Sequence, residues 1–161
     1  MVEVRIDEGM LSRARILAEK MGALNNSIRN GEGNLAGFLG EECVLQYYPH
    51  AKRDNGYDHD ILLKPFRVEV KTKDRTVIPQ DDYECSIANY NTRQDTDYYF
   101  FVSLLRNNGR YSCGYLLGYI KPEDYYRKAK ALKTGELDPS NNFTVKADCW
   151  NLPIRELLPF R

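Results

Sequence analysis

The segment RVEVKTK, residues 67–73, alternates, so that Val68, Val70 and Thr72 share one face of a strand while Arg67, Glu69, Lys71 and Lys73 share the other. The valines belong in a core, and the charged face then needs either solvent or a purpose. In the run just before it, Asp58 and Asp60 fall on one side and His59, Ile61 and Leu63 on the other. Lys64-Pro65 between the two runs marks a hairpin, and its register decides which aspartate meets Glu69. With Pro65 at the second position of a turn over 64–67, Lys71 faces Asp60 and Glu69 lies one diagonal away. With Lys64 and Pro65 as the two central residues, Asp60 stands directly opposite Glu69. Both registers bring Asp60 nearer to Glu69 than Asp58 can come. Two carboxylates and a lysine on one face make a hard oxygen site suited to Mg²⁺ or Mn²⁺, with an ammonium to orient water or to steady charge on a phosphate. The same residues on a solvated edge hairpin would simply pair as surface ions.

The elements that must position these groups are legible in outline. Asp7 is a candidate N-cap for a helix carrying Met10, Ala14, Leu17, Met21 and Leu24 at helical spacing, with Gly22 helping to end it. Residues 25–34 are polar and glycine-bearing, a loop. A second helix is expected over 35–48, stopped by Pro49, and its crowded apolar wheel predicts burial. Gly37 and Gly40 would let it approach a sheet closely. Tyr83, Ile87 and Tyr90 repeat at helical spacing and predict a third helix with Gln94 on the same face. Residues 98–105 and 111–120 read as strands joined by turn chemistry at Asn107, Asn108 and Gly109. Pro122 suits the first position of a short helix over 122–132. A short strand is expected over 143–146, before a closing segment at 151–159. This order predicts an α/β (α+β) domain, a central mixed β-sheet flanked by helices.

Composition sets the outer bounds. A chain of 161 residues with 42 % hydrophobic and 29 % charged residues fits one soluble domain over residues 1–161 and holds no run long enough for a membrane span. We divide it into a helical extension at 1–30, a core at 31–120, and a helix and tail at 121–161. Its 23 basic and 23 acidic residues cancel, so any site for a polyanion must be local. Cys43, Cys85, Cys113 and Cys149 are too widely spaced for a zinc ribbon or an iron-sulfur centre and are expected as free thiols. With no secretory signal at the start, the expected compartment is cytoplasmic. For contacts to phosphate, Lys71, Lys73 and Arg75 form one basic ridge, and the helix with Lys121, Arg127, Lys128, Lys130 and Lys133 offers another. Twelve tyrosines could stack on unpaired bases.

Asp60 heading the run Asp-Ile-Leu-Leu, followed by Glu69-Val70-Lys71 on the next strand, resembles the signature of the PD-(D/E)XK nuclease superfamily. GFLGE, YDHDIL, VEVKTK and NYNTRQ, in that order, are together similar to small phage-type nucleases. The motifs span roughly residues 31–105. The resemblance implies a restriction-endonuclease-like αβββαβ core, with Asp60, Glu69 and the Val70 carbonyl as ligands of Mg²⁺ (or Mn²⁺) and Lys71 positioning the attacking water. It makes Glu41 on the preceding helix a further catalytic acid that supports this metal ion or a second one, although the wheel alone does not separate Glu41 from Glu42, and it makes Gln94 a polar residue near the DNA. The family's usual proline before the first aspartate is His59 in this chain.

The function implied is a metal-dependent deoxyribonuclease, endonucleolytic and directed by DNA structure rather than sequence, since no helix-turn-helix or zinc finger is visible. Its partner is DNA. A homodimer that cuts both strands is a further implication, and a viral origin would place it in the host cytoplasm. No membrane and no organic cofactor are expected. The competing expectations are a non-catalytic nucleic-acid- or protein-binding module on the same fold, and an assembly protein acting through its apolar strands.

Overall fold

The computed structural model describes residues 1–22, 32–54, 58–89, 94–139 and 142–160. A six-stranded mixed sheet forms the centre. Its strands are β1 (Val2–Arg5), β2 (Lys52–Arg53), β3 (Ile61–Leu63), β4 (Phe66–Arg75), β6 (Tyr98–Asn107) and β7 (Arg110–Ile120), in the order β1-β7-β6-β4-β3-β2. β4 and β6 run parallel, and every other pair is antiparallel. The segment between β4 and β6 supplies β5 (Glu84–Ala88), which joins β8 (Lys130–Leu132) and β11 (Cys149–Pro153) in a second sheet, ordered β5-β11-β8. β9 (Leu137–Asp138) and β10 (Phe143–Thr144) make a separate small ribbon.

Alternation along the central strands divides the core into two layers. Val68, Val70, Phe100, Val102 and Leu104 pack under helices α1 (Glu8–Met21) and α2 (Glu32–Tyr47), while Tyr99, Phe101, Tyr115 and Leu117 pack under the second sheet and helix α3 (Pro122–Lys128). Burying both faces explains why 98–105 is continuously apolar. The Asp7 carboxylate accepts the Met10 N–H at 2.8 Å and Gly22 closes α1, both as expected. The turn between β6 and β7 is also as expected: Asn108 and Gly109 both take positive φ, the two-residue hairpin geometry these residues favour. α2 crosses the sheet so closely that a Cβ on Gly40 would overlap the Thr72 side chain, whereas Gly37 has open space. Gly40 is the residue that sets this approach.

Two expectations are corrected and one strand is added. Where the third helix was expected, the described residues Glu84–Ala88 form a strand in which Cys85 and Ile87 are buried and their neighbours half-buried. Residues four apart share a face in a helix and in a strand alike, so Tyr83 and Ile87 fitted both, and pairing with the distant β11 decides the outcome. The helix after Pro122 ends at Lys128, because residues 130–132 pair with β11 instead. Val2 and Val4, unassigned in the sequence, form a strand on β7. Tyr90 and Leu24 lie outside the described residues. All four cysteines are free thiols, and no helix among the described residues is long and apolar enough to cross a membrane.

Candidate active site

The β3–β4 hairpin pairs Ile61 with Val68, Leu62 with Arg67 and Leu63 with Phe66, so Lys64 and Pro65, joined by a cis peptide bond, are the two central residues. This is the second of the two registers, with Asp60 opposite Glu69. At Asp60 the ladder changes character. Its N–H donates to the Val68 carbonyl at 3.0 Å, and its carboxylate accepts the Val70 N–H at 2.8 Å. A side chain thus replaces the backbone partner of Val70 and lies in the plane of the sheet. The Arg67 carbonyl is taken up on the β6 side by the Asp97 N–H, so Val68 and Val70, alternating with it, turn their backbone groups toward β3. The Val70 carbonyl therefore faces the same edge as Asp60.

Glu69 points to the opposite face from Val68 and Val70 yet is only 6 % exposed. Lys71 Nζ donates to Glu69 Oε1 at 2.8 Å and to Gln94 Oε1 at 2.8 Å, and Gln94 Nε2 donates back to Glu69 Oε1 at 2.9 Å. The ammonium also stands 5.8 Å from the ring centre of Tyr99, which is fully buried. Behind it, the Tyr99 and Tyr126 hydroxyls are 3.2 Å apart, and Tyr126 meets Trp150 edge-on at 5.4 Å. Gln94 itself stands outside any helix, on the segment 94–97. Arg67 grips Asp95 and Asp97, and Thr96 Oγ1 donates to the Arg67 carbonyl, fixing residues 94–97 against the start of β4. Asp58 is spent on the Asp95 N–H at 3.4 Å; Asp60 is the aspartate that joins Glu69.

Burial and the Glu69 charge push the Asp60 carboxyl up to about 7, against the opposing pull of the Val70 N–H and Lys71. One ammonium does not neutralise two carboxylates largely withdrawn from water. On the α2 side the balance differs. Glu41 and Glu42 are both 6 % exposed. The Arg53 guanidinium on β2 is ion-paired with Glu41 and reaches Glu42 at 2.8 Å, and Arg13 of α1 meets Glu42 at 2.8 Å. Burial lowers the pKa of Arg53, with the Asp60 charge raising it and Arg13 lowering it.

Of the residues singled out by sequence, the fold gathers Asp60, Glu69, Val70, Lys71 and Gln94, and it holds Glu41 one guanidinium away. Lys73 and Arg75 are turned elsewhere. Lys73 lies 3.4 Å from the Glu84 carbonyl and from Ser86 Oγ, while Arg75 donates to Glu84 and Ser103 and stacks on Tyr83. The ridge they were expected to form is engaged in fastening β4 to β5. In the second basic cluster, Arg127, Lys128 and Lys133 pair with Asp124, Glu156 and Asp148. In the sequence, Arg13 and Arg53 carry no sign beyond charge next to elements that end up buried, and Arg67 is placed on the charged face without a role.

Among the described residues no three His, Cys, Asp or Glu side chains group closely enough to hold a metal by themselves. Mg²⁺ is commonly held by one or two carboxylates while keeping several waters. Asp60, Glu69 and the Val70 carbonyl fit that demand: a half-buried and a buried carboxylate share one counter-charge, and an oxygen on the same sheet edge completes the set. Comparison with known proteins returns no matching family model, no similar curated protein and no similar solved structure.

Proposed function

We propose that this protein is a Mg²⁺- or Mn²⁺-dependent nuclease that hydrolyses DNA phosphodiester bonds endonucleolytically, directed by DNA structure rather than sequence. The observation that carries the proposal is the pairing of half-buried Asp60, at the head of β3, with buried Glu69 on β4, and Lys71 bonded to Glu69 and Gln94. A restriction-endonuclease-like core is supported by the succession α2, β2, β3, β4 and β6, with β6 parallel to β4; β5 stands where that core would carry its second helix.

Asp60, Glu69 and the Val70 carbonyl would hold the ion, which when bound polarises the scissile phosphate and lowers the pKa of a water. Lys71 spends two of its three N–H donors on Glu69 and Gln94, which fixes the direction of the third toward the attacking water or the developing phosphate charge. Gln94, next to Asp95 and Asp97 of the Arg67 clamp, accepts a second hydrogen bond from the ammonium beside the one given to Glu69. Glu41 stands behind Arg53 and contributes to the field of the site.

The other reading, a binding module without catalysis, is favoured by one observation: Glu41, Lys73 and Arg75 are all engaged within the fold. A panel of labelled linear, nicked, forked and four-way DNAs with Mg²⁺ or Mn²⁺ separates the two. Wild type cleaves at least one member and Glu69→Ala cleaves none; DNA left intact by wild type across the panel rejects the nuclease.

A further inference from the structure

Hydrolases that use two divalent ions hold them about 3.5–4 Å apart and need carboxylates on both sides of the pair. In this fold the far side is supplied by Glu41 and Glu42, adjacent on α2, and a cation already stands there. Arg53 is opposite Ile61 in the β2–β3 ladder, beside Asp60, and the Asp54 N–H donates to the Asp60 carbonyl at 2.8 Å. Its guanidinium is ion-paired with Glu41, reaches Glu42 at 2.8 Å, and has 14 % of its side chain exposed. Arg13 brings a second guanidinium to Glu42. A further divalent ion on this side would have to displace a buried, forked guanidinium from both of its carboxylates.

We propose that Arg53 is the resident cation of the α2 side of the site, so that the chain takes one divalent ion, at Asp60, Glu69 and the Val70 carbonyl, rather than two. The inference rests on the metal-dependent reading above and deepens it: Arg53 is a positioning residue that holds Glu41 and Glu42 out of coordination and fixes the number of ions. Arg53→Met removes the charge while keeping much of the apolar stem, and frees the two glutamates for a second ion. Arg53→Lys keeps a cation in place.

The test is a titration of the full chain with Mn²⁺ alone, counting free ion by electron paramagnetic resonance, with thermal melts in Mn²⁺ to confirm that each variant is folded. Wild type and Arg53→Lys bind one ion per chain, Arg53→Met binds two, and adding Glu41→Gln to Arg53→Met returns the count to one. Two ions on wild type overturn this inference and leave the metal-dependent nuclease standing. No ion on wild type overturns both. A folded Arg53→Met chain that still binds one ion removes Arg53 from the role, and if that variant does not fold, the wild-type and Arg53→Lys counts decide the matter.

Discussion

Two pairs of carboxylates can be compared among the described residues, Glu41 with Glu42, both buried, and half-buried Asp60 with buried Glu69, and the chain treats them oppositely. Glu41 and Glu42 sit side by side on one helix and receive two guanidinia, Arg53 and Arg13. Asp60 and Glu69 come from adjacent strands and receive one ammonium, which they share with the amide of Gln94. The first pair has a guanidinium for each carboxylate. The second keeps negative charge unspent, and Asp60 carries the cost as a raised pKa. The lesson is that burial of acid does not by itself mark a site; the informative quantity is the local shortage of positive charge, which a whole-chain balance of zero conceals.

The sharpest way to break the comparison is to take the cation from the finished pair. Without divalent ions, Arg53→Met leaves Glu41 and Glu42 short of their main partner in a buried setting and should cost about 3–5 kcal/mol in urea unfolding. At the unfinished pair the loss falls on rate: Lys71→Ala should lower kcat by about 10²–10³-fold, or ~2.7–4 kcal/mol, in single-turnover cleavage. Gly40→Ala tests the spacing between the pairs. Its new methyl meets Thr72 on β4 and should destabilise by roughly 1–3 kcal/mol while pushing α2 from the sheet. The smallest effect is a pH slope. In the folded chain Asp60 keeps its proton up to about pH 7, whereas unfolded it loses it near pH ~4. The folded state therefore holds more protons between those values, and stability falls as pH rises through them. Asp60→Asn should flatten that slope and exceed wild type in stability above pH ~7 by about 1 kcal/mol or more; an unchanged slope in thermal melts at pH 5 and 8 would contradict it.

The hairpin was the most legible part of the site, because alternation over 67–73 and the Lys64-Pro65 turn leave few registers, and one of the two weighed is found. α2 was legible for the same kind of reason: its crowded wheel demanded burial, and Gly40 allowed it. What stayed hidden is non-local. β5 exists because β11, more than sixty positions further along, pairs with it, and no spacing within 83–94 contains that information. Gln94 stands in the cluster on a non-helical segment whose Asp95 and Asp97 are held by Arg67, an anchor its spacing did not suggest. Arg53 was invisible because a two-residue strand has no period, and its role depends on where α2 crosses.

The chain has one tryptophan, and it stands at the end of a packed row that runs from Trp150 through Tyr126 and Tyr99 to the Lys71 ammonium. That row gives the molecule an intrinsic optical probe. Movement of a positive charge beside Tyr99 alters the field along three touching rings, so on the proposed metal-dependent reading indole emission would follow ion binding at the carboxylate pair in solution, without a label.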